Sequence, residues 1–396
     1  MLQISKKNRV ILSFLGILLI TGYYAFSSGY EFKSLNESLF ESKKSNDEIK
    51  DNSEVDYTVL IDSAQEKSNS QKVVFKIESF EEADRRIEDY LRDVFPLISN
   101  HAVEDIIANK IVNKFLVNDT LGIVEFYANF YVPNYYFEQN PNLLWELNIP
   151  EFQSRIYQVY GVDTLLIDIW PNVVGKPSTK TYTGHYQAFR IRNWPFWKDP
   201  EASDSVRPTP PGPNNPLGLF VVHYDENSLR YFHGTNKSYL LKNEYRALSH
   251  GCVRNENENI GRMKKFILKK IIKSEDLSSW LDSKKTMIYE FTDEDKFPVR
   301  IIYKTFDISR DVRGDYVIFF KDVYNYSNNG RLGKFDDPSL ITFTSIENIL
   351  SEFKKEYPSY QIPDEKIIPI LENLITNHED YQKYYFDDLV AEQINN

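Results

Sequence analysis

Three of the chain's six histidines and its one cysteine fall between residues 223 and 252. All but His223 sit in His233-Gly234-Thr235 and in Ser249-His250-Gly251-Cys252-Val253-Arg254-Asn255. A cysteine nucleophile needs a base to draw off its proton, an oxyanion site and access to substrate, and this segment can supply each. His233 closes the strand-like run Leu229-Arg230-Tyr231-Phe232, so its imidazole would stand on a rigid element. Gly251 allows a sharp turn that aims amide hydrogens at a developing oxyanion. A helix soon after Cys252 would bring its positive end near the sulfur and lower the thiol pKa. Arg246 and Arg254 would hold a carboxylate or add to the field on a thiolate. Two other readings stay open on the residues alone: zinc held by Cys252 with His223 and His250, and a buried cysteine with no chemistry. Taken singly, His101, His185, His223 and His378 read as surface or satisfied core histidines.

The elements that must position these groups follow from the rest of the chain. At 396 residues the expectation is two to three domains. With 41% hydrophobic and 27% charged residues, wholesale disorder is excluded. A net charge of −11, from 47 basic and 58 acidic residues, argues against nucleic acid as a partner. That charge is expected mainly on the tether and the carboxyl-terminal segment, leaving a groove near Arg246 and Arg254 positive. A lone cysteine forms no intramolecular disulfide.

Lys6, Lys7 and Arg9 precede an apolar run from Val10 to Phe26, the pattern of an export signal. Residues 1–27 are read as a signal-anchor or a cleaved signal peptide, which places the remainder outside the cytoplasm. Residues 28–72, rich in Ser, Asn, Glu, Lys and Asp, read as a flexible tether. From 73 to 140, helical spacing of Ile87, Leu91, Val94, Ile98, Val103 and Ile106 predicts a small helical scaffold domain. Strand patterns then dominate residues 141–330, with Pro208-Thr209-Pro210-Pro211-Gly212-Pro213 as a rigid loop that cannot join a ladder. Within that stretch, Ile260, Met263, Ile267 and Ile271 share one helical face, and Arg313-Gly314-Asp315 marks a hairpin turn. Residues 331–396 are predicted to be helical. The class is α+β and mostly β, with flanking helical segments.

His233 with Ser249-His250-Gly251-Cys252-Val253-Arg254-Asn255 resembles the signature of L,D-transpeptidases with a YkuD-type catalytic domain. Flanking strings, among them Val174-Gly175-Lys176-Pro177-Ser178 and Pro211 to Gly218, are similar to the large YcbB-like branch. The resemblance covers roughly 141–330. It implies a β-sandwich-like domain that remodels peptidoglycan in the periplasm or cell envelope, held at the cytoplasmic membrane by its amino end or secreted after cleavage. By that resemblance Cys252 attacks a stem tetrapeptide at its third residue, a diamino acid, and D-Ala leaves. An amine of a neighbouring stem then resolves the thioester to a 3→3 cross-link, with no cofactor and no metal. His233 would be the base, with the Gly234 carbonyl orienting its other nitrogen, and the Gly251 and Cys252 amides would form the oxyanion hole. Ser249, His250 and Arg254 would shape the donor site, with Tyr231 and Tyr239 as walls. Alternatives are a carboxypeptidase or endopeptidase using the same cysteine, and a wall-binding protein without activity. Residues 73–140 hold no recognisable peptidoglycan-binding module, and Asn193 to Pro200 matches the family's aromatic loop loosely. Trp194 and Trp197 there form either a lid over Cys252 or simple loop packing.

Overall fold

The computed structural model describes residues 69–118, 121–199, 202–356 and 363–395. The expected signal segment, residues 1–27, and nearly all of the expected tether, residues 28–72, lie outside the described residues. Among the described residues, no helix is long and apolar enough to cross a membrane.

The region expected to be helical is instead mixed. Strand β1 (Ser70–Ile77) leads into α1 (Ala83–Val94) and α2 (Asn100–Ala108), then β2 (Ile111–Asn118) and β3 (Ile123–Pro133). The strands form an antiparallel sheet in the order β1-β3-β2. The helices obey the predicted spacing: Ile87, Tyr90 and Leu91 of α1 are buried, and Ser99 caps α2 by accepting from the Ala102 amide at 3.1 Å. What overrode the helical expectation is the β-branched and aromatic content of the flanks. Val73, Phe75 and Ile77 alternate inward from β1, and Phe130 meets Phe75 and Tyr90 edge-on at 5.5 and 5.9 Å.

Next come β4 (Asn142–Asn148), β5 (Gln153–Tyr160) and β6 (Asp163–Pro171), an antiparallel meander, followed by β7 (Val174–Gly175) and β8 (Gly184–Ala188). Strands β9 (Arg190–Asn193), β10 (Phe220–His223), β11 (Tyr231–His233), β12 (Ala247–Ser249) and β13 (Val253–Arg254) then precede α3 (Asn257–Phe266). After α4 (Leu277–Leu281) come β14 (Met287–Glu290) and β15 (Phe297–Lys304). Two sheets carry the domain. One has the order β13-β11-β10-β9-β14; the other runs β15-β4-β5-β6, with β8 also paired to β15. Trp145 of β4 stacks on Phe232 of β11 at 3.9 Å, so the sheets share a core, the sandwich that the class predicts. Ile260, Met263 and Ile267 are buried as their spacing predicts, while Ile271 is only partly covered. Arg262 of α3 binds the Pro96 carbonyl and Asp168, and Lys265 and Lys269 pair with Asp93, fastening the amino-terminal helices to this domain.

The last helices do not stand apart. Hairpin β16 (Phe306–Arg310) and β17 (Asp315–Phe319) turns at the predicted Arg313-Gly314 position. Strand β18 (Ile341–Thr342) adds to β15, and α5 (Ile346–Glu356) and α6 (Asp364–Asn377) follow. Strand β19 (Lys383–Tyr385) pairs with β17 ahead of α7 (Phe386–Asn395). Phe306, Ile308, Val317 and Phe319 share one core with Ile349, Phe353, Leu371 and Phe386. A boundary at 330 therefore cuts through a packed unit.

Candidate active site

Alternation along β11 and β13 decides which side chains meet. Phe232 and Val253 are fully buried and face the core. Tyr231, His233 and Arg254 therefore project from the opposite face, and Cys252, just before Val253, belongs with them. The ladder sets these groups in two rows. His233 lies opposite Arg254 on β13 and Val221 on β10, and Val221 lies opposite Arg192 on β9. In the next row Tyr231 lies opposite His223, and His223 opposite Arg190. Arg254 and Arg192 thus end the first row and Arg190 the second, on the face that carries the cysteine and the histidine.

His233 is buried, and its Nδ1 lies 2.5 Å from the Gly234 carbonyl, its hydrogen-bond acceptor. Nε2 is then the lone-pair nitrogen. Burial and the nearby Arg254 charge push its pKa down to about 3, so the ring is neutral at any physiological pH. Gly234 itself is gripped from α3. A Cβ there would come within 2.3 Å of Asn257 Oδ1, which accepts from the Thr235 amide, while Asn257 Nδ2 donates to the Thr235 carbonyl.

The Cys252 loop is built from the main chain. Gly251 has φ +115°, and a Cβ there would sit 2.7 Å from Arg230 Nε, so both backbone and space require glycine. Its carbonyl accepts from Thr181 Oγ1 at 2.7 Å, and the Thr181 hydroxyl also receives the Gly175 amide. Tyr324, far along the chain, donates to the Gly175 carbonyl and receives the Thr181 amide. Lys176 donates its amide, and Thr179 its hydroxyl, to the Ser249 carbonyl.

Three expectations change at this loop. Ser249 is fully enclosed and donates to the Cys252 carbonyl, so it shapes the turn from within. The Gly251 amide, expected in the oxyanion hole, donates to Ser249 Oγ at 3.0 Å. The thiol pKa was expected to be lowered, but burial raises it. The main-chain hydrogen bond from Tyr231 and the charges of Arg230, Arg254 and Arg192 pull the other way without prevailing.

Among the arginines, Arg246 is removed from the site. Its guanidinium donates to the carbonyls of Asn172, Asn243 and Phe152 and lies over the Phe152 ring, clamping β4–β5 to the segment before β12. Arg230, which motif reading overlooked, donates to the Lys180 and Ser228 carbonyls and stacks on Tyr182 beside Gly251. Arg254 keeps its place on the active face. Tyr231 is half-buried beside His223, their rings 4.3 Å apart, and Tyr239 is 62% exposed. His250 is exposed. His223 is neither surface nor satisfied, since it is buried and its Nε2 has no hydrogen-bond partner among the described residues. Burial with the charges of Arg192 and Arg190 lowers its pKa to about 3.

The aromatic loop packs onto its neighbours. Trp197 exchanges both main-chain hydrogen bonds with Thr209, and Asn215 Nδ2 donates to the Pro195 carbonyl. Thr209 keeps the N–H that its proline neighbours lack, and this gives the proline-rich loop a ladder contact that its composition argued against. Among the described residues, no group of three or more His, Cys, Asp or Glu side chains is placed to hold a metal.

No curated protein sequence matches the chain. Among solved structures, an L,D-transpeptidase from Mycobacterium tuberculosis aligns at 12% identity and a TM-score of 0.24, covering 59% of this chain and 90% of that one. The helical cell shape determining protein Pgp2 from Campylobacter jejuni aligns at 12% and 0.24, covering 41% and 48%. L,D-transpeptidase 1 from Mycobacterium tuberculosis gives 12% and 0.23, covering 49% and 83%. Superpositions this loose carry no weight of their own. The family comparison is specific: residues 147–292 match YkuD, the L,D-transpeptidase catalytic domain, and the match contains Cys252, His233 and the whole loop around them. Over residues 147–292 the chain is therefore similar to the L,D-transpeptidase catalytic domain.

Proposed function

We propose that the protein is a cysteine acyltransferase that forms 3→3 cross-links between peptidoglycan stem peptides. The observation that carries this reading is the shared face. Cys252 stands on a glycine-shaped turn one strand away from a neutral, carbonyl-anchored His233, with Arg254 and Arg192 in the same row as the base. Because the resting thiol is held neutral, proton transfer accompanies attack. His233 Nε2 takes the Sγ proton as sulfur bonds to the carbonyl carbon of the diamino acid. The Cys252 amide is the oxyanion donor in this scheme, since the Gly251 amide is engaged by Ser249. Collapse of the tetrahedral adduct breaks the amide bond, and the imidazolium returns its proton to the departing D-Ala amine. The thioester is then attacked by the side-chain amine of a second stem. His233 takes that amine's proton and delivers it to Sγ as the thioester breaks.

Within the family we place the chain with the large YcbB-like branch, on the strings around Val174–Ser178 and Pro211–Gly218. The first of these braces the Cys252 loop through Gly175 and Lys176. We further propose a periplasmic location at the cell envelope, with the basic and apolar amino end holding the enzyme at the cytoplasmic membrane.

The test uses the full chain and a disaccharide-tetrapeptide, read by mass spectrometry. A product of two stems joined with loss of one D-Ala is expected, and none from Cys252→Ala. Tripeptide and free D-Ala alone would make the protein a hydrolase. Unchanged turnover in Cys252→Ala would remove the nucleophile.

A further inference from the structure

Most half-buried arginines in this domain are tied down. Arg246 spends its guanidinium on carbonyls, Arg230 on carbonyls and a tyrosine face, and Arg262 on Asp168 and carbonyls. Arg155 is held by Glu151 and Asp307. Arg192 departs from this pattern. It is half-buried on the active face, its Nε is enclosed without a hydrogen-bond partner, and its side chain makes no hydrogen bond or ion pair with the described residues. Beside it, one strand over, His223 Nε2 is likewise enclosed and unpaired. Arg190 flanks both and is already paired with Glu290 at 2.5 Å.

Leaving a buried polar atom unpaired is costly, and two such atoms on adjacent strands facing one way form a receptor that the described residues do not fill. A planar guanidinium fork beside a neutral imidazole suits a carboxylate. The position fits as well. Arg192 shares a row with His233 and Arg254, three strand spacings or about 14 Å from Arg254 at the backbone. Its positive charge opposes protonation of His233 and His223 and favours the Cys252 thiolate, so it lies within electrostatic range of all three.

We propose that Arg192, with His223 beside it, is a specificity-determining receptor for a carboxylate of the donor stem peptide. The identity of the ligand rests on the acyl-transfer reading above; the unfilled receptor does not. Two carboxylates of a stem could dock there, the carboxyl terminus of the departing D-Ala or the side-chain carboxyl of a diamino acid that bears one. A carboxylate at Arg192 would also partly neutralise a charge that opposes protonation of His233, so docking and base function would be coupled.

The test is calorimetric titration of the full chain carrying Cys252→Ala, with and without Arg192→Gln. The probes are a tetrapeptide stem, its C-terminal amide, and a stem amidated at the diamino-acid side-chain carboxyl. Arg192→Gln is expected to weaken binding of the free stem about 10- to 100-fold, with Arg192→Lys weakening it less. The amide that removes the true ligand should bind equally weakly to both proteins, which identifies the docked carboxylate. The proposal is overturned if Arg192→Gln binds the free stem as well as its parent does. It is equally overturned if all three stems lose the same factor, or if none binds either protein. Binding that depends on Arg192, with no D-Ala released by the unsubstituted enzyme, would keep the receptor and sink the acyl-transfer reading.

Discussion

Arg155 and Arg192 are both strand arginines set in half-closed surroundings, and the protein treats them in opposite ways. Arg155 on β5 is met by both oxygens of Glu151 and by Asp307, and the network continues through Lys304 to Glu352 of α5. Burial works against its charge, but these carboxylates more than offset it and move its pKa up. Arg192 has no such partner. Burial and then the neighbouring Arg190 weigh on it, and its pKa moves down. The first cluster joins the six-stranded sheet to the carboxyl-terminal helices and is complete within the chain. The second is incomplete until something anionic arrives. Saturated charge marks where this molecule is held together, and unsaturated charge marks where it works.

The largest effect expected from this contrast is on stability. Glu151→Ala strands Arg155 with one partner fewer in a buried place, and unfolding free energy should fall by about 3–5 kcal/mol in urea titrations. Arg192→Gln removes a charge that pairs with nothing and should change stability by less than about 1 kcal/mol. Comparable losses in the two variants would erase the distinction. A second, smaller effect concerns pH. His233 and His223 hold pKa values of about 3 in the folded state, against about 6.5 for an unfolded histidine. Below pH 6.5 the unfolded chain takes up protons that the folded chain refuses, so stability falls with falling pH down to about 3. Each histidine contributes a slope of up to about 1.4 kcal/mol per pH unit. His223→Phe should flatten the stability profile between pH 6.5 and 5, measured by urea midpoints; an unaltered slope would mean His223 protonates freely in the fold. Smallest is the direct effect on the thiol. Arg192 assists thiolate formation, so iodoacetamide labelling of Cys252 should shift to higher pH in Arg192→Gln by well under one unit, the charge being screened by water at its exposed side. A shift the other way would place Arg192 elsewhere.

Much of the site was legible because cysteine, histidine and glycine occur there in a pattern whose chemistry is narrow. Cys252, His233, Gly234 and Arg254 could be named from sequence; the ladder brings the Cys252, His233 and Arg254 side chains onto one face, and the Gly234 carbonyl receives His233 Nδ1. The helical face of Ile260, Met263 and Ile267 was equally plain. What escaped notice depends on pairings across long stretches of chain. Thr181 supports Gly251 from seventy positions away, and Tyr324 supports Thr181 from farther still. Arg192 looks like any strand arginine until the register of β9, β10 and β11 aligns it with His233. Arg246 misled for the converse reason: adjacency to the motif suggested a ligand, while its reach across to Phe152 makes it a clamp. The sheet of residues 70–133 was missed because two well-formed helices dominated the periodicity, and strands β2 and β3 lie beyond them.

In the proposed reaction the face shared by Cys252 and His233 is acylated on sulfur. Intact-protein mass spectrometry of the full chain after brief exposure to a tetrapeptide stem tests it most directly. The expected result is an adduct equal to the stem minus D-Ala, carried on the Cys252 peptide, absent from Cys252→Ala and strongly reduced in His233→Ala. Adduct formation undiminished in His233→Ala, or an adduct on any residue other than Cys252, would contradict it.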